Sequence, residues 1–141
     1  MTPYNTIYRL FLSRIRSLAM GQLIVKEKSI AESVMRELLE NAVFDCMEYL
    51  KTDLSGNGHS FAEEIGFEES HFLAEAMAIR WLGSILMDED LMRVAIGDRD
   101  WKETEGWRIV RALAPIHERA ERKLRTRLKR YTRREFKRGD Y

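Results

Sequence analysis

Between Phe67 and Met87 the chain carries Phe72, Leu73, Ala76, Met77, Ile79, Trp81, Leu82, Ile85 and Leu86. At about 100° per residue these positions cover more than one helical face, so a helix there has to be buried on several sides. That demand constrains everything else in the chain, because the remaining segments must supply amphipathic partners for a central helix. Ala76 and Gly83, seven residues apart, allow one of those partners to approach closely. Arg80 is the odd charge in the stretch and must either escape along its stem or meet a carboxylate such as Glu75 or Glu48.

Candidate partners lie on both sides of it. Residues 4–20 place Ile7, Leu10, Phe11, Ile15 and Leu18 on one face and Arg9, Arg14 and Arg16 elsewhere, an amphipathic helix entered through Pro3 and ended near Gly21. Residues 22–28 fit a β-like connection as well as a buried turn. Ser29 followed by Glu32 is a capping-box pattern that predicts a helix start. Ile30, Val34, Leu38, Ala42, Cys46 and Tyr49 or Leu50 then form a stripe at i, i+4, with the helix expected to end by Thr52. Residues 53–60, centred on Ser55-Gly56-Asn57-Gly58, read as a loop because glycine and asparagine tolerate left-handed dihedrals. An acidic corner at 88–90, a short helical turn at 91–96 and a loop at 97–106 precede the last segment.

That segment, residues 107–141, repeats Val110, Leu113, His117, Ala120, Leu124, Leu128 and Tyr131 every three or four positions, the spacing of one helical face. Pro115 means either that the helix starts near Ala114 or that it is kinked. The fold class expected is therefore all-α: a compact bundle of about four main helices with a long basic C-terminal helix and an extended tail. Residues 1–130 would form the helical domain and 131–141 the docking tail. At 141 residues the chain is one domain by size. No stretch free of charged side chains exceeds nine residues, so we expect no bilayer span. Arg9, Arg14 and Arg16 interrupt the apolar start, which is unlike a secretory signal and points to cytoplasmic synthesis, and the single Cys46 fits a reducing compartment.

Charge is divided along the chain. Residues 119–138 hold eleven Lys or Arg against Glu121 and Glu135, whereas the first 118 residues hold thirteen basic and twenty acidic side chains. Such a division suggests a basic appendage for an acidic partner. Arg125, Arg127, Lys129, Arg130, Arg133, Arg134, Lys137 and Arg138, interleaved with Tyr131, Phe136 and Tyr141, would serve nucleic acid. An acidic body repels phosphates, however, and docking onto a protein assembly fits the change of sign better; a solvated helix end is the third reading.

Chemistry has little support. His71 with Glu75 and His117 with Glu121 are i, i+4 pairs, too few ligands for a metal site, and Asp98 and Asp100 around Arg99 read as turn residues. Cys46 lies on an apolar stripe and reads as a core thiol. Nucleotide fingerprints are absent. We therefore expect no enzyme activity, no cofactor and no metal. Of the tryptophans, Trp81 reads as core, whereas Trp101 in a polar loop either touches a partner or folds back over the core.

Several stretches taken together resemble a known family. Thr6-Ile7-Tyr8 with Phe11-Leu12-Ser13, Lys51-Thr52-Asp53-Leu54-Ser55, Leu73-Ala74-Glu75-Ala76-Met77 leading to Arg80-Trp81-Leu82, and Gly97-Asp98-Arg99-Asp100-Trp101-Lys102 before a long final helix resemble small neck proteins of tailed bacteriophages. These are the head-to-tail adaptors, also called connector or head-completion proteins. The likeness covers residues 6–131 in order and spacing, with each motif weak by itself. It implies a small all-α virion protein without cofactor or catalytic residues, assembled in the host cytoplasm into a ring of about twelve copies under the portal. Its partners would be the portal protein, copies of itself and a downstream neck or tail protein, with genomic DNA passing through the lumen without specific binding and no membrane contact. In such adaptors the C-terminal segment docks on the portal, which here marks residues 131–141, with Tyr131, Arg133, Arg134, Phe136, Lys137, Arg138 and Tyr141 as the expected contacts; Arg130, from the basic run, and Trp101, from the polar loop, join them as partner-binding candidates on their residue types. The tail of this chain is longer and more basic than the short tyrosine-ended tails of that family. An acidic body suits a channel through which DNA slides, and a basic arm suits a neighbour's acidic surface. The reading from a different class is a small DNA-binding accessory or regulator using the same basic helix.

Overall fold

The computed structural model describes residues 1–19, 32–87 and 103–137. Its elements in order are strand β1 (Thr2–Pro3), helices α1 (Tyr4–Ala19) and α2 (Glu32–Cys46), strand β2 (Ser60–Phe61), and helices α3 (Phe67–Met87) and α4 (Glu103–Lys137). Among the described residues the protein is mostly helical, an all-α bundle with one small two-stranded sheet.

Helix α3 is the hub, and its predicted bounds agree with the structure to the residue. Leu73, Ala74, Ala76, Met77, Ala78, Trp81, Leu82 and Ile85 are all buried along it, because α1, α2 and α4 each pack on it. Ile7, Phe11 and Ile15 come from α1, Leu39, Ala42 and Cys46 from α2, and Leu113, Leu124, Leu128 and Tyr131 from α4. Burying side chains of this size contributes roughly 1.5–3 kcal/mol each, which is why the many-sided face of α3 decides the architecture.

Helix α2 is shorter than its stripe suggests. After Cys46 the chain tightens, Tyr49 N–H donating to Cys46 O at 2.9 Å and Leu50 N–H to the same carbonyl at 3.2 Å, so the last carbonyls are satisfied as the helix unwinds. Val34, expected in the stripe, is exposed, and Leu39 is buried in its place. The loop at 53–60 is present and is built as expected around Asn57, whose Oδ1 accepts from His59 and Ser60 N–H at 2.9 Å, with Gly58 at φ +94°. Its far end forms β2, which pairs antiparallel with β1 in the register Thr2↔Phe61 and Pro3↔Ser60. No sequence period announces two-residue strands. Thr2 Oγ1 caps the arrangement by accepting from Ile65 N–H at 2.8 Å.

Helix α4 differs most from expectation. It already runs from Glu103, so residues 103–106 are helical where a loop was expected, and Pro115 lies inside the helix instead of in its first turn. It also continues unbroken through residues 131–137, so the extended tail expected from 131 is helix as far as Lys137. The physical reason is the apolar period, which does not stop at Leu128: Tyr131 and Glu135 occupy the next two core-facing positions and both are buried. The capping box at Ser29, the connection at 22–28, the acidic corner at 88–90, the turn at 91–96, the acidic pair Asp98 and Asp100, and Trp101, Arg138 and Tyr141 lie outside the described residues.

Candidate interaction surface on the C-terminal helix

Helices α3 and α4 run antiparallel, and their contacts keep a constant register. Glu75 pairs with Arg127, and seven residues back on α3, Glu68 pairs with Arg134, seven residues on along α4. Seven residues are two turns, about 10.5 Å, in either helix, so equal spacings let both pairs form at once. Farther along the seam His117 stands over Gly83, where an added Cβ would meet Nε2 at 2.9 Å. The close approach expected at Gly83 is thus used by His117. Its Nε2 lies 3.1 Å from Ile79 O and 3.3 Å from Glu121 Oε1, two acceptors, which places the proton on that nitrogen.

Near the N-terminal end of α3, beside the Glu68–Arg134 pair, lies Glu69, a buried carboxylate. Its Oε2 accepts from Tyr131 Oη at 2.6 Å and from Lys51 N–H at 3.0 Å, joining α4, α3 and the chain leaving α2. Thr132 Oγ1 adds a bond to Tyr49 O at 3.1 Å. Tyr131 also meets the edge of Phe72 with ring centroids 5.5 Å apart. Burial first, then the hydrogen bond to Glu69 and the neighbouring carboxylates, raise the Tyr131 pKa above the ordinary phenol value. A signal for this hub was present in the sequence, since Glu69 falls on the same α3 face as Phe72, Leu73 and Ala76.

Placed on a wheel of about 100° per residue, α4 from Arg119 onward shows a core face, two flanks and an outer arc, the second flank carrying exposed Arg125 and Phe136 with half-buried Thr132. Leu124, Leu128, Tyr131 and Glu135 form the core face. Arg127 and Arg134 form one flank, occupied by Glu75 and Glu68. The outer arc holds Arg119, Arg122, Lys123, Thr126, Lys129, Arg130, Arg133 and Lys137, every one exposed. That arc contains seven cations, one threonine, no carboxylate and no apolar side chain.

The expected docking residues therefore separate. Arg130, Arg133 and Lys137 are exposed on the arc, and Phe136 is 69% exposed beside it near the end of α4. Tyr131 is only 7% exposed and belongs to the core seam, so it is not available for docking. Arg134 is held by Glu68 and lies 5.4 Å from the Tyr131 ring centroid. Arg80, for which Glu75 or Glu48 was the expected partner, instead forms a two-pronged pair with Asp45 at 2.6 and 2.7 Å. Glu75 is already taken by Arg127.

The remaining candidates for chemistry fall into ordinary structural positions. His71 packs against Phe67 at 4.4 Å, its pKa lowered by burial and then by Arg14. Cys46 is fully buried, its thiol pushed up to about 12 by burial and then by Asp45. Among the described residues no group of three or more His, Cys, Asp or Glu is placed to hold a metal ion, and no helix is long and apolar enough to cross a membrane. A scan against protein-family models finds no match, and neither does a search of curated proteins or of solved structures.

Proposed function

We propose that the chain is a structural neck protein of a tailed bacteriophage, a head-to-tail adaptor that assembles as a ring of about twelve copies beneath the portal. Its work is mechanical: to seat on the portal, prolong the DNA conduit and offer a lower surface to the next neck or tail protein. The sequence support is the ordered series of motifs over residues 6–131. The structural observation that carries the reading is the tip of α4. Beyond the Arg134–Glu68 pair stands Phe136, an exposed aromatic side chain beside the cation Lys137. An aromatic group flanked by charge on a rigid helix is the kind of anchor that dominates protein interfaces. On this reading the docking element is the end of α4, with Phe136 and Lys137 as its described residues.

A second surface suits contact between copies. Phe44 on α2 and Met47 in the turn that follows it are 72% and 57% exposed, with the exposed carboxylates Glu37, Glu40 and Glu48 on the same segment. An apolar centre with a charged rim is typical interface anatomy. Deleting the gene from its phage tests the proposal: DNA-filled heads without tails are expected, and the purified protein should co-sediment with portal and show a ring by electron microscopy. Normal tail attachment in the deletion strain, or no association with portal, sinks the reading.

A further inference from the structure

The outer arc of α4 is not accounted for by docking at the tip, and its composition indicates what it touches. Protein interfaces bury aromatic and apolar side chains at their centres and are depleted in lysine. The arc offers neither an aromatic nor an apolar group, only cations around Thr126. Its charge spacing is informative as well. Seven cations between positions 119 and 137 occupy about 27 Å of helix axis, one per roughly 4 Å. A single strand of duplex DNA presents one phosphate per about 3.4 Å of axis.

From this complementarity we infer that the outer arc of α4 contacts the phosphate backbone of nucleic acid without reading its sequence. Two structural facts weaken the objection that an acidic body would prevent it. Glu68 and Glu75 face the opposite flank and are already neutralised by Arg134 and Arg127, and no carboxylate stands within the arc. The arc also lacks asparagine, glutamine and carboxylates, side chains that read adenine and cytosine edges, so its contacts are expected to fall on phosphates. The contact is that of a surface along which DNA is held loosely and can slide. It does not rest on the adaptor reading, since it requires only this chain and DNA.

The test uses the full chain and fluorescence anisotropy with short labelled duplexes and single strands of random sequence. With four or more phosphates neutralised, the slope of log K against log salt for duplex should be about −3.6 or steeper, a loss of at least about 150-fold between roughly 50 and 200 mM salt. Arg130→Gln with Arg133→Gln should make that slope shallower by about two and weaken all sequences equally. Thr126→Lys, which adds a cation at the middle of the arc, should steepen it by about one, a gain that misfolding cannot mimic. The inference is overturned if the slope is shallower than about −2, if neither variant changes it, or if binding depends on base sequence. It is also overturned if polyglutamate binds as tightly as duplex at equal charge concentration, since the arc would then serve an acidic protein face. Preference between duplex and single strand identifies which form supplies the phosphates.

Discussion

Tyr131 shows how one residue can be legible in pattern and misread in role. Its place in the series Leu124, Leu128, Tyr131 identifies a core position, yet the surrounding arginines suggest a detachable tail; burial at 7% exposure decides for the core. What spacing could not supply was its partner, because Glu69 lies 62 residues away. Hydrogen bonds to charged groups contribute about 1.5–3 kcal/mol, and the other oxygen of Glu69 is buried without a hydrogen-bond partner among the described residues. Tyr131→Phe should therefore lower stability in urea titration by about 1.5–3 kcal/mol at neutral pH. The pH dependence has a definite sign. A phenol whose pKa is raised on folding contributes stability that is complete below the ordinary value of 10.0 and is lost as pH climbs above it. The difference between the parent and Tyr131→Phe should be constant below that pH and shrink above it.

At the scale of elements, helix existence was legible wherever apolar positions recur over several turns. The bounds of α3 follow from its apolar run, whereas α4 was legible in existence only, beginning earlier and running further than expected. Pairing between elements was not, because the partner of a charge depends on register. Arg80 found Asp45 across 35 residues, where Glu75 and Glu48 were equally good on spacing alone. The matched seven-residue intervals of Glu68 with Glu75 and Arg127 with Arg134 were visible, but only an antiparallel register gives them meaning. The two rungs should not be equivalent. Arg134 and Glu68 are about half exposed, at 46% and 49% of their side chains, so solvent screening leaves roughly 0.2–1 kcal/mol of coupling. Glu75 is only 13% exposed, so Arg127→Gln strands a largely buried carboxylate and should cost about 1–3 kcal/mol. Double-mutant cycles on the two pairs, followed by chemical denaturation, should rank the Arg127–Glu75 rung above the Arg134–Glu68 rung, and the reverse order would contradict the burial argument.

For the whole molecule, the division of charge reads differently once folded. Opposite signs on the two parts of the chain suggested an arm seeking an acidic partner elsewhere, and part of that partner is the molecule's own α3. The basic segment is consequently both a structural helix and a surface: its core face and one flank close the bundle, and among the described residues its outer arc and tip are exposed to other molecules. This gives a sharp expectation for truncation. Ending the chain after Lys137 keeps Tyr131, Thr132 and Glu135 and serves as the reference. Ending it after Arg130 removes the ring packed on Phe72, the donor to Glu69 and the bond from Thr132 to Tyr49. Loss of a buried aromatic alone costs about 3–5 kcal/mol, comparable with the whole stability of a small domain. The shorter chain should therefore be partly or wholly unfolded by circular dichroism at room temperature. A native spectrum and an unchanged midpoint for it would mean that residues 131–137 are an appendage after all, and would return Tyr131 to the docking surface.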